Sequence, residues 1–174
     1  MTLALLLLSG TVGVGKTTIG EEIHDVLSER QLSNAFFDLD ALRYQWPPTS
    51  PWNADLLVEH LAALWPNLAR RDVGHLVLAG VMETPPDLDR IRAALPPTAM
   101  SVIRLTAPAE VRTARLRTRM QPGPALDWHL ARTAELDAIL DGSPVDMIAV
   151  DNRERAPRDV ALDVLERVGW PAAQ

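Results

Sequence analysis

Short runs of apolar residues alternate along the chain with longer stretches in which apolar positions recur every three or four residues. Leu3–Leu8 is uniformly apolar, the pattern of a strand buried on both faces of a parallel sheet. From Lys16 to Arg30, Ile19, Ile23, Val26 and Leu27 share one helical face. The same patterning predicts strands over Ala35–Asp38, His75–Ala79, Met100–Leu105 and Asp146–Val150. Helices are predicted over Ala54–Arg71 with a break at Trp65-Pro66, then Asp87–Leu95, Ala109–Met120, Leu126–Leu140 and Pro157–Val168. Tyr44–Asn53, rich in Pro and Trp, reads as a loop, and Gln121–Pro124 as a turn. Alternating strands and helices define an α/β fold with a mainly parallel sheet, and right-handed crossovers place helices on both faces. Ligands of such sheets gather at the carboxyl ends of the strands. Those ends are Gly10–Thr17, Asp38–Asp40, Gly80–Thr84, Thr106–Pro108 and Asp151–Arg155.

Composition narrows this picture. The 174 residues suit one domain spanning 1–174. The absence of cysteine excludes a disulfide scaffold, a thiol nucleophile and thiolate metal sites, and fits a reducing, cytoplasmic setting. A net charge of −6 disfavours nucleic acid and anionic membranes as partners. The Leu3–Leu8 run has no basic residue before it, and is far short of the roughly 20 apolar residues a membrane span needs. Nothing in the pattern sets an oligomeric state. Of the 17 basic residues all but Lys16 are arginine. A lysine kept where every other cation is Arg marks a position suited to a compact ammonium rather than a planar fork.

Lys16 lies in Gly10-Thr11-Val12-Gly13-Val14-Gly15-Lys16-Thr17, a complete G-x-x-x-x-G-K-[ST] motif between a predicted strand and a predicted helix. Glycines let backbone N–H groups turn inward around a phosphate, and the helix amino end adds positive potential. Lys16 is placed to reach the β- and γ-phosphates of a nucleotide, with the Thr17 hydroxyl a Mg²⁺ ligand and Thr18 beside it.

With these residues the chain resembles the P-loop kinases of the nucleoside-monophosphate-kinase-like group. Within it the likeness is to small-molecule kinases such as adenylylsulfate kinase, gluconate kinase and chloramphenicol phosphotransferase. The resemblance implies a three-layer P-loop NTPase fold: five parallel strands in order 2-3-1-4-5, helices on both faces and a short Arg-bearing lid at about 112–130. It implies ATP as phosphoryl donor, Mg²⁺ as cofactor and a small molecule as acceptor. Asp38-Leu-Asp40-Ala-Leu-Arg43 follows the group's D-x-D-x-x-R pattern. Related families keep a carboxylate more widely at the Asp40 position, so Asp40 is favoured over Asp38 to orient or deprotonate the acceptor; helix capping is the competing role for either. Arg43 is then a substrate contact. In the lid, Arg115 and Arg119 are expected on adenine and phosphates, with Arg132 a weaker candidate. Asp151-Asn152-Arg153 is expected to pack on the base, the alternative being plain turn chemistry.

Other residues carry two readings each. Arg112, Arg115 and Arg119 fall on one face, which serves either bound anions or solvent. Glu83 joins the Mg²⁺ water shell, contacts substrate, or is solvated. Trp46 and Trp52 either shape an acceptor pocket for a ring-bearing molecule or pack a loop on the core. Trp65, Trp128 and Trp170 are expected in the core or at caps. A GTPase is set aside because N-K-x-D needs a second lysine. A larger-scale motor or AAA-type ATPase is set aside on length and on the missing acid at the end of strand three. What remains is an ATP-dependent kinase for a hydroxyl or phosphate of a small acceptor. The alternative is a non-catalytic ATP-binding module or an ATPase subunit of a larger assembly. Departures from adenylylsulfate, shikimate and thymidylate kinase motifs leave the acceptor open among nucleosides, sugar acids, antibiotics and other hydroxylated metabolites.

Overall fold

The computed structural model describes residues 3–145 and 147–171. Five strands form one parallel sheet: β1 (Ala4–Ser9), β2 (Asn34–Asp38), β3 (His75–Ala79), β4 (Met100–Thr106) and β5 (Ile148–Asp151), in spatial order β2-β3-β1-β4-β5. The central strand β1 pairs Leu6 with Val77 on one side and with Ser101 on the other. The fifth strand starts later than its pattern suggests; Asp146, where it was expected to begin, lies outside the described residues.

Six α-helices accompany the sheet: α1 (Lys16–Glu29), α2 (Ala54–Ala69), α3 (Pro85–Ala93), α4 (Ala109–Arg119), α5 (Pro124–Asp141) and α6 (Pro157–Arg167). Alternation along β1 sorts the core, because successive side chains of a strand point to opposite faces. Leu6 and Leu8 meet Ile19 and Ile23 of α1 and Val160 and Val164 of α6. Leu5 and Leu7 meet Leu57 and Leu61 of α2 and Leu88 and Ile91 of α3. Where α1 crosses β2, a Cβ on Gly20 would lie 2.2 Å from the Phe36 ring, so only glycine permits that approach.

Three helices differ most from expectation, and one of them, α5, starts at Pro124, inside the expected turn. α2 runs through Pro66 without the expected break. The carbonyl that loses its partner belongs to Ala62, which faces solvent and can be hydrated there. α3 starts at Pro85 because Thr84 caps it: the Asp87 carboxylate accepts from the Thr84 N–H at 3.0 Å and from its hydroxyl at 2.8 Å. Tyr44–Asn53 is mostly irregular, closing in a 3₁₀ turn over Pro51–Asn53. No helix among the described residues is long and apolar enough to cross a membrane.

Leu61 is fully buried between α2 and the sheet. Leu61→Ala is expected to lower the unfolding free energy by about 2–5 kcal/mol in urea denaturation, with the α1–α6 face intact.

Candidate active site

The loop Gly10–Thr17 joins β1 to α1 at the carboxyl end of the sheet. Gly10, Gly13 and Gly15 have φ of 138°, 79° and 103°. Gly15 caps α1 in the left-handed region, and a Cβ there would also lie 2.6 Å from the Asn152 side-chain nitrogen. The loop is held from outside. Asn152 donates from Nδ2 to the Val14 carbonyl at 2.7 Å, and its own N–H donates to Thr106 at 2.7 Å. Arg115 donates to the same Val14 carbonyl at 3.1 Å and to the carbonyls of Asn152 and Arg153 at 2.8 and 2.7 Å. Thr133 on α5 donates to the Val12 carbonyl at 2.9 Å. Arg112, which is buried, forks onto Asp137 and donates to the Thr11 hydroxyl at 2.7 Å.

Inside the loop, Lys16 Nζ donates to the carbonyls of Gly10 and Thr11, both at 3.0 Å. Burial lowers its pKa to about 8, Asp40 and then Asp38 oppose that shift, and Arg119 adds to it. The Thr17 hydroxyl donates to Asp38 Oδ2 at 2.6 Å. The other Asp38 oxygen accepts from the Asp40 N–H at 2.9 Å, an Asx turn that ends β2. Thr18 is exposed on the first turn of α1. The Asp40 carboxylate is open to solvent and pairs with Arg43 at 3.4 Å. A hydroxyl and a carboxylate touching beside a phosphate-shaped loop form the hard-oxygen donor set that Mg²⁺ prefers. Among the described residues no cluster of three or more His, Asp or Glu forms a separate metal site.

The structure therefore gathers Lys16, Thr17, Asp38, Asp40 and Arg43 at one end of the sheet and divides the arginines. The expected common face of Arg112, Arg115 and Arg119 does not survive: Arg112 is consumed by Asp137, Arg115 by backbone carbonyls, and only Arg119 stays exposed without a hydrogen bond or ion pair to the described residues. Glu83 is bound by Arg132, which also pairs with Glu135 at 2.7 Å. Asp151 holds Arg153 at 2.8 Å, and Asn152 beside them is buried. Trp46 projects into solvent, 88% exposed, away from any core. Sequence reasoning missed the roles of Arg112 and Thr133, whose partners lie far along the chain. It also placed Trp128 in the core or at a cap, whereas its ring is 48% exposed, 6.1 Å from that of Trp52.

Residues 6–158 match a family described as AAA domain. Comparison with curated proteins finds no match. Among solved structures, an unliganded sugar kinase from Janibacter sp. aligns at a TM-score of 0.67 with 18% identity, over 98% of this chain and 96% of its own. The tunicamycin resistance protein of Deinococcus radiodurans aligns at 0.63 with 21% identity, over 99% of both chains. The APS kinase of Mycobacterium tuberculosis, solved with AMPPNP and APS, aligns at 0.61 with 16% identity, over 97% and 99%. At these identities the likeness establishes the P-loop NTPase fold that such kinases share. The family match also removes length as a ground for setting AAA-type proteins aside.

The Asn152 tether makes a direct test. Asn152→Ala leaves the Val14 carbonyl with Arg115 alone and is expected to cost about 1–3 kcal/mol of stability, read by chemical denaturation.

Proposed function

We propose that this chain, which belongs to the AAA-domain family, is a small-molecule kinase that moves the γ-phosphoryl group of ATP to a hydroxyl or phosphate of its acceptor. The observation that carries this reading is the Thr17–Asp38 contact at 2.6 Å, set between the Lys16 loop and the solvent-facing Asp40. A module that only held nucleotide would not need a second, exposed carboxylate at that edge. On this reading 1–174 is one domain with its lid at about 112–130.

The steps follow from the residues. The loop amides take the β-phosphate, and Gly10–Thr18 line the triphosphate. Lys16 leaves the Gly10 and Thr11 carbonyls for phosphate oxygens, where its charge offsets that of the transferring group. Arg119, the lid arginine whose charge already acts on Lys16, closes on the same group. Arg115, Asn152 and Arg153, with Asp151, form the wall against which the base lies. Thr17 would hold Mg²⁺ directly and Asp38 would hold it through water; when bound, the ion neutralises charge on the phosphate oxygens. Asp40 takes the acceptor proton as the acceptor oxygen bonds to the γ-phosphorus and the bond to the β-phosphate oxygen breaks, releasing ADP. Arg43 and Glu83 border the acceptor. Arg43 lines a shallow cavity of about 40 Å³ with Val81, Met82 and Asp87.

Two outcomes check the assignment. Lys16 must be protonated to bind phosphate, and bound phosphate raises its pKa. ATP affinity measured by calorimetry is therefore expected to be flat below about pH 8 and to fall by up to about tenfold per pH unit above it. Lys16→Ala should bind weakly with no such step; an unchanged affinity in that variant would remove the loop from the site. Asp40→Asn is expected to keep ATP affinity and lose about 10²–10⁴-fold in ADP formation with acceptor present. ATP bound but never consumed with any acceptor would instead support a binding module.

A further inference from the structure

Resting on the kinase reading above, we infer that the acceptor is an uncharged hydroxylated molecule with a flat or cyclic apolar face, laid on Trp52 and Trp128 with His129 at its polar edge. Two observations support this independently: the placement of the aromatic rings and the pairing of the charges.

Trp52 is 58% exposed and Trp128 48%, and their rings approach to 6.1 Å at an angle of 50°. Two large rings left half in water side by side are not core packing. The backbone is strained to put one of them there. Trp52 and Asn53 have φ of 57° and 47°, in the left-handed region that disfavours residues other than glycine. The buried Asn53 side chain fixes that bend, donating to the carbonyls of Arg43 and Gln45 at 2.9 and 3.1 Å and accepting from the Thr49 N–H at 3.0 Å. The Arg132 guanidinium lies 5.3 Å from the centre of the Trp52 ring. The His129 ring stands edge-on to Trp128 at 4.8 Å, and its Nδ1 is buried with no partner among the described residues. Burial, then Arg119, push the His129 pKa below its ordinary value, with Asp40 opposing. The ring is therefore neutral near pH 7, able to donate or accept, and lies within the fields of both the lid arginine and the acceptor-side carboxylate.

Charge pairing at this edge favours an acceptor without charge. Recognition of a carboxylate or phosphate on the acceptor needs a guanidinium with free donors. At this edge Arg43 is on Asp40, Arg90 on Asp87, and Arg132 on Glu83 and Glu135. The same pairs engage Asp87, Glu83 and Glu135, while the solvent-facing Asp40 serves the acceptor hydroxyl. Arg119, which has no hydrogen bond or ion pair among the described residues, acts on Lys16 and His129, at the phosphate end.

The test measures ADP formation from ATP with matched acceptors: a nucleoside against its 5′-monophosphate, and a hexose against its uronic acid. Wild type, Trp52→Ala, Trp52→Phe and Trp128→Ala are compared, with ATP affinity measured in each. The expected result is transfer to the uncharged member of at least one pair. Its KM should rise about tenfold in both alanine variants and recover in Trp52→Phe, with kcat and ATP affinity nearly unchanged. Transfer only to charged members, equal KM within every pair, or a wild-type KM in both alanine variants would each overturn this inference and leave the kinase reading standing. ATP bound with no acceptor phosphorylated would overturn the kinase reading and this inference with it.

Discussion

A loop that presents N–H groups to an anion has nothing of its own to keep it open when the anion is absent. Peptide planarity supplies the answer here. Drawing the Val12 and Val14 carbonyls outward, onto Thr133 and onto Asn152 and Arg115, turns the Gly13 and Gly15 N–H groups the opposite way. Each tether is worth about 1 kcal/mol, yet together they fix the sign of the surface that faces the cavity. Three separate parts of the chain, α4, α5 and the segment after β5, therefore converge on one turn of eight residues. Lys16 fills the resulting hollow by bonding the carbonyls at the loop's entrance.

The arginines follow a related logic. Arg112 is buried, and burying a charge requires a partner with matching geometry. Asp137 provides it in fork-to-fork contact, so the pair joins α4 to α5 and grips Thr11 at the same time. Arg132 plays the same part between α5 and the end of β3. An acidic chain with almost no lysine thus uses planar guanidiniums as rivets, and leaves Arg117 and Arg119 exposed on the lid.

What was legible in the sequence was what depends on near neighbours. The glycine spacing of 10–17 encodes the loop because all its geometry is local, and the apolar run of β1 encodes a central strand because both its faces are covered. Thr84 and Asp87 form a cap three residues apart, so the true start of α3 could have been read from that pair. The fate of Arg112 could not, since Asp137 is 25 residues away and only the return of α5 brings it close. Trp128 misled for a simpler reason. Leu126, Thr133, Leu136 and Leu140 take the buried face of α5, and two residues past Leu126 a helix has turned about 200°. The split between Asp38 and Asp40 was also hidden, because the Thr17 hydroxyl that distinguishes them comes from another element.

The solitary lysine gives the molecule an unplanned property. Acylating reagents attack amines only in the free-base form. With its pKa near 8, about a tenth of Lys16 is free base at pH 7, where an ordinary lysine would show well under a thousandth. With no other side-chain amine anywhere in the sequence, the α-amino terminus is the one other amine such a reagent can label, and the side-chain signal comes from this turn of backbone alone. An anion lodged in the turn recharges the amine and silences it, so the fold carries its own gauge of occupancy.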